Sequence, residues 1–113
     1  MHTLLVLTNL PDTDSAQTLA RLLIERRLAA CVNILAPCKS VYRWQDRIED
    51  ATEVPLLIKT TAGCYDGLEA AIRAHHPYEL PEIIAVSVER GLPEYLTWVG
   101  AETTTSLTSD LPC

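Results

Sequence analysis

At 113 residues with 48% apolar content, the chain has the length of one globular domain, and a disordered or collagen-like chain is excluded. Nine basic against fifteen acidic residues leave a net charge of −6, which argues against nucleic acid or anionic membrane as the main partner. No apolar run approaches the ~20 residues of a membrane span; Met1-His2-Thr3 is not a charged n-region and Leu4 to Leu7 is too short for a signal-peptide core, so no signal peptide is expected.

Leu4 to Thr8 is a short, nearly all-apolar run and predicts a strand buried on both faces. Pro11-Asp12 ends it. Asp12, Asp14 or Ser15 can cap the helix that follows, with Gln17 in capping-box position to Asp14. Ala16, Leu19, Ala20, Leu23, Ile24 and Leu28 recur at helical spacing as one apolar stripe. Arg26-Arg27 falls where a helix C-terminus favours cations.

Cys31 to Trp44 alternates as a strand, with Val32, Ile34, Tyr42 and Trp44 expected to face inward. Gln45-Asp46 predicts a two-residue turn, although it lacks the glycine of the favoured hairpin turns. Arg47 to Thr61 then returns through the core run Val54 to Ile58. With the turn at Gln45-Asp46, Trp44 faces Arg47, Pro37 faces Val54 and Pro55 faces Ala36. Two ladder-breaking prolines at one height predict a kink or bulge there.

The hairpin's length carries a further consequence. Fourteen residues per strand would span roughly 46 Å, whereas a globule of this size is only ~35 Å across. The arm bearing Tyr42 and Trp44 is therefore expected to project beyond its own domain. Open edges with aromatic side chains need covering, most economically by further copies of the chain.

Thr61 or Asp66 starts a second helix with Leu68, Ala71 and Ile72 as its stripe. It must stop at His76, because Pro77 pushes the preceding residue out of the helical region. Glu82 to Val88 reads as a strand and Pro93 to Val99 as a short final helix, with Trp98 in core or intersubunit packing. A polar tail follows, residues 103–113, of which Thr103 to Leu107 can add an edge strand. The order strand, helix, strand, strand, helix, strand over 1–102 is that of a single ferredoxin-like α+β sandwich, an antiparallel sheet with both helices on one face.

The stretch from His75 to Ile84 concentrates the candidate chemistry. It holds His75, His76, Glu79 and Glu82, and neutral imidazole with carboxylate suits a divalent transition metal. On spacing alone, a solvated helix end and rigid turn is the blander alternative. Adjacent helical residues point ~100° apart, so one ion does not readily take both histidines. A helix end bounded by Pro77 is not expected to depend on imidazole packing. Lys59 is a candidate to line an intersubunit pocket with Trp44, Tyr78 and Glu82. Cys31, Cys38, Cys64 and Cys113 show no CxxC spacing and are expected to be reduced thiols in a cytoplasmic protein, Cys31 as a buried, inert one. No Ser-His-Asp order, phosphate loop or HExxH is present, and Thr8 to Asp12 offers no arginine for an acylphosphatase-like anion cradle.

Several segments together give a resemblance. Arg27 to Ile34, Ser40 to Trp44, Glu53 with Leu57 to Thr60, His76 to Glu79 with Pro81 to Ile84, and Tyr95 to Trp98 stand in the order and at the spacing of the CutA divalent-cation tolerance family. The resemblance covers residues 4 to 100. It implies a ferredoxin-like domain assembled as a tight homotrimer, with the architecture of the PII signal proteins and long hairpins pairing with neighbouring sheets. It also implies a small cytoplasmic protein tied to tolerance of copper and other divalent cations, with no established catalysis. In some members copper binding is attributed to a histidine pair and a first-strand cysteine. His75 and His76 match the pair, but Thr8 occupies the cysteine position, which removes the soft ligand. Asp46 departs from the usual turn glycine.

Two functions follow as expectations. The first is a trimeric, non-enzymatic protein that binds copper(II) or another divalent cation, without organic cofactor, and serves the response to metal ions. The alternative is a PII-like signalling or interaction module whose intersubunit clefts take a small molecule or a partner protein.

Overall fold

The computed structural model describes residues 2–104. Strand β1 (Thr3–Leu10) buries Val6, Thr8 and Leu10 completely on one face, while Leu5 and Leu7 on the other are only half-buried. The expectation of burial on both faces holds for one. Helix α1 (Thr13–Glu25) is capped by Asp12, whose carboxylate accepts the Ser15 N–H at 2.7 Å, so the Asp14–Gln17 box is not the start. Ala16, Leu19, Ala20 and Leu23 form its buried stripe, but Ile24 falls outside it at 41% exposure.

Arg27 ends the helix in the left-handed region, φ 58°. Its N–H and that of Leu28 return to the Ile24 and Leu23 carbonyls, each at 3.0 Å, a closure usually left to glycine. Here the Arg27 guanidinium also donates to the Ala101 carbonyl at 3.1 Å, tying this corner to the C-terminal helix.

The second strand is broken into β2 (Cys31–Ile34) and β3 (Cys38–Trp44), both antiparallel to β4 (Arg47–Thr61). From Cys38 opposite Glu53 to Trp44 opposite Arg47, the register is the one set by a turn at Gln45-Asp46. β2 is out of step with it: Ile34 faces Leu56, where the same register would put it opposite Leu57. The slip is absorbed at Leu35-Ala36-Pro37, opposite Val54-Pro55. The two prolines lack an N–H for the ladder, and Leu35 N–H bonds to the Pro55 carbonyl at 2.9 Å. The bulge thus stands at the height of the two prolines. Gln45 and Asp46 take φ 50° and 64°, the mirror-image turn that matches strand twist despite the missing glycine. The arm makes the molecule elongated, 45 × 28 × 23 Å.

A 3₁₀ turn (Ala62–Cys64) leads into α2 (Tyr65–His75), and the helix stops at His76, whose backbone is extended at φ −87° and ψ 134°. β5 (Ile84–Ser87) is shorter than the apolar run predicts, and α3 (Pro93–Glu102) runs on past Val99. Strand order β2-β4-β1-β5 with α1 and α2 packed on one face is the ferredoxin-like arrangement. Val6, Leu10, Leu23, Leu56, Ile58 and Ile72 are fully buried between the layers.

The opposite sheet face is only partly covered. Helix α3 lies against it, with the Tyr95 hydroxyl reaching Cys31. Ile84 and Val86, paired to Leu7 and Leu5, stay 51% and 52% exposed. Trp98 is 42% exposed and so is not core within this chain, and Ile34 and Tyr42 are likewise surface residues here.

The cysteines need one correction. Cys31 and Cys38 are free, Cys31 half-buried rather than buried, but Cys64 is disulfide-bonded. The fold carries the C-terminal end past it: Cys64 Sγ lies 3.8 Å from the Thr104 carbonyl, and Thr104 N–H bonds to the Arg27 carbonyl at 2.9 Å. Sequence spacing does not reveal that approach. Thr104 forms a single β-bridge; the rest of the expected edge strand, and Cys113, lie outside the described residues.

Candidate functional site

Pro77 ends α2 with two histidines in different conformations, and their roles separate accordingly. His75 is still helical and exposed. Its Nδ1 donates to the Ala71 carbonyl at 2.9 Å, which leaves the ring's lone pair on Nε2. His76 turns inward and is only 9% exposed. Its Nε2 lies 2.7 Å from the Asn9 carbonyl and must donate there, while Nδ1 accepts the Tyr78 N–H at 3.2 Å. Both ring nitrogens of His76 are therefore engaged, and the ring is neutral. Burial pushes its pKa down, opposed by the Asn9 bond and by the negative charge of Glu53.

Tyr78 stacks at a tilt on His76, ring centroids 4.8 Å apart, and its phenol bonds to the Glu53 carboxylate. Burial, then Glu53, raises the Tyr78 pKa to about 12. The helix end thus packs on the His76 imidazole, a contact that the reading from Pro77 alone did not include. Glu53, buried at 9% exposure, is the residue that the sequence reading missed as a site component. Its place beside the proline bulge, on the face shared with Cys38, was the available signal.

Between the arm and the Pro77–Glu82 passage runs a groove of about 900 Å³, lined by Tyr42, Trp44, Glu53, Tyr78, Glu79 and Glu82 among others. Glu79, Glu82, Tyr78 and Trp44 are brought together here; His75 and Lys59 are not. Lys59 stands far along β4 from the turn, up to roughly 40 Å from Trp44 at ~3.3 Å per residue. Its ammonium bonds to Asn33 Oδ1 and lies 4.0 Å from Cys31 Sγ. A pocket shared by Lys59 and Trp44 would need a second subunit. Among the described residues, no three histidine, cysteine or acidic side chains converge as a metal-binding group. Thr8 is buried on the helix-facing side of β1, its hydroxyl without a hydrogen-bond partner among the described residues.

Sheet order, helix placement and the projecting hairpin define a ferredoxin-like α+β protein. The chain belongs to the CutA1 divalent ion tolerance protein family, whose sequence profile matches residues 4–102. The divalent-cation tolerance protein CutA of Thermus thermophilus is 43% identical over 98 residues, 87% of this chain and 95% of that one. The solved structure of the Cut A1 protein from that organism matches with a TM-score of 0.89 at 41% identity, covering 90% of this chain and 99% of its own. A CutA homolog from Xenopus laevis is 44% identical over 90 residues, and the chain spans 60% of its length. A structure described as the periplasmic divalent cation tolerance protein CutA of Archaeoglobus fulgidus matches with a TM-score of 0.86 at 37% identity, over 90% of this chain and 98% of that one. The family is one of non-enzymatic tolerance proteins. Among the described residues, no helix is long and apolar enough to cross a membrane.

Proposed function

We propose that this chain works as a homotrimeric divalent-cation-binding protein, with residues 1–102 as the working domain and 103–113 as a polar tail. The observation that carries the metal reading is exposed His75, whose Nε2 keeps its lone pair, one residue from the buried His76. One imidazole makes a weak site, so carboxylates complete it, Glu79 and Glu82 being the nearest in sequence. Supply of such ligands by a neighbouring copy suits an architecture whose arm extends past its own domain. Copper(II) is favoured over nickel, cobalt and zinc by the general affinity order for such donors. His76 serves as the support that fixes His75 and the following loop. An intersubunit pocket with Lys59, Trp44 and Tyr78 belongs to the same trimeric proposal.

Copper calorimetry tests this reading. His75→Ala is expected to abolish binding with little change in fold, since a metal takes only a neutral imidazole. Equal isotherms for wild type and His75→Ala would overturn the metal reading in favour of the PII-like interaction module.

The compartment is proposed as cytoplasmic. The disulfide at Cys64 is the observation that pulls towards an oxidising one. Thiol trapping in intact cells, followed by denaturation, decides it: a Cys64 thiol found reduced supports the cytoplasm.

A further inference from the structure

The groove holds a buried carboxylate without a counter-ion. Glu53 faces the groove at 9% exposure and accepts a hydrogen bond from the Tyr78 phenol. Among the described residues no cation pairs with it, and the one ion pair found there joins Arg27 to Glu102. Exposed Glu79 and Glu82 add negative charge to the rim, and Tyr42 and Trp44 supply aromatic wall. Among the described residues Arg43 is the one basic residue lining the groove, and it forms no ion pair with Glu53.

Buried charge is costly unless it is paired, and aromatic faces attract cations. We propose that the groove binds an organic cation, an ammonium or guanidinium group on an alkyl chain, with its charge at Glu53 and its apolar part against Tyr42 and Trp44. A small divalent ion demands several oxygens at ~2.0–2.6 Å, and no such convergence exists here among the described residues. An organic cation uses both the carboxylate and the aromatic wall, and about 900 Å³ is a volume typical of small-molecule sites. This inference shares Glu79 and Glu82 with the copper reading but not its imidazole, because neither His75 nor His76 lines the groove; loss of copper binding in His75→Ala with the agmatine response kept separates the two. The cationic group can come from a free amine or from a basic side chain of a second copy.

Agmatine, which carries both cationic groups, is titrated into the full-length protein bearing Trp98→Phe, so that fluorescence reports Trp44 alone. A saturable change, weakened roughly tenfold or more by Glu53→Gln and not reproduced by neutral pentanol, supports the free-ligand source. Thermal melting checks that Glu53→Gln folds; if it does not, Glu79→Gln with Glu82→Gln, both exposed, is expected to weaken agmatine severalfold. No agmatine response, together with a carbodiimide crosslink from Glu53 to a lysine of another copy, assigns the cation to the second copy. Neither response nor crosslink, or a response unchanged in the glutamine variants, overturns the proposal.

Discussion

His76 Nε2 donates to the Asn9 carbonyl across 2.7 Å, which fastens the end of helix α2 to the last turn-ward residues of β1. The same ring accepts the Tyr78 N–H, so one side chain sets the path of both the helix stop and the loop that walls the groove. His76→Ala is expected to cost about 2–3 kcal/mol, since it removes a buried ring and leaves the Asn9 carbonyl unpaired. His75→Ala, exposed, is expected to stay within ~0.5 kcal/mol. Urea unfolding of the two variants at neutral pH measures both, and equal costs would contradict this division of roles.

Stability is expected to depend on pH through the same ring. Burial holds the His76 pKa below its ordinary value in the fold, so the unfolded chain binds the proton more readily. The contribution is complete above the unfolded pKa of about 6.5 and is lost as pH falls from there through the folded value. Urea midpoints recorded from pH 7.5 to pH 5 should fall for wild type and fall less for His76→Phe, which cannot titrate.

Thr8 buries a hydroxyl that finds no partner among the described residues. Valine has nearly the same shape without that polar atom, so Thr8→Val is expected to stabilise the protein by about 1 kcal/mol. Thr8→Cys places a thiol in the same buried position. It should tighten copper(I) binding only if Thr8 lies beside the metal site in the assembled protein. Denaturant midpoints and copper(I) competition assays check the two variants.

Gln45 and Asp46 occupy left-handed backbone at the arm's tip. Asn-Gly is the preferred pair for that turn, so Gln45→Asn with Asp46→Gly is expected to add about 1 kcal/mol without changing register. Differential scanning calorimetry reads it, and a lower melting temperature would argue against this turn geometry in solution.

The uncovered face and projecting arm predict a mass of three times the 12.5 kDa chain by light scattering at micromolar concentration. Tyr42→Ala with Trp44→Ala is expected to weaken assembly by several kcal/mol, each buried aromatic supplying roughly 2–3. A wild-type mass equal to one chain would remove the oligomeric reading altogether.

Much of the architecture was legible in local patterns. The α1 stripe, the helix stop before Pro77, the turn at Gln45-Asp46 and the excess length of the hairpin follow from steric rules and residue spacing. The kink is the sharpest instance, because two prolines brought to nearly the same height on paired strands each remove a ladder N–H. Other features depended on groups distant in sequence meeting in space. The disulfide at Cys64, the exposure of Trp98, the separation of Lys59 from Trp44 and the opposed roles of His75 and His76 are all of this kind. A one-residue backbone change at His76 sends one ring to solvent and the next to the Asn9 carbonyl, and residue type alone does not encode which. Glu53 shows the reason most directly. In sequence it is one acid among fifteen, and only the bulge beside it and the Tyr78 phenol above it make it a buried charge facing a groove.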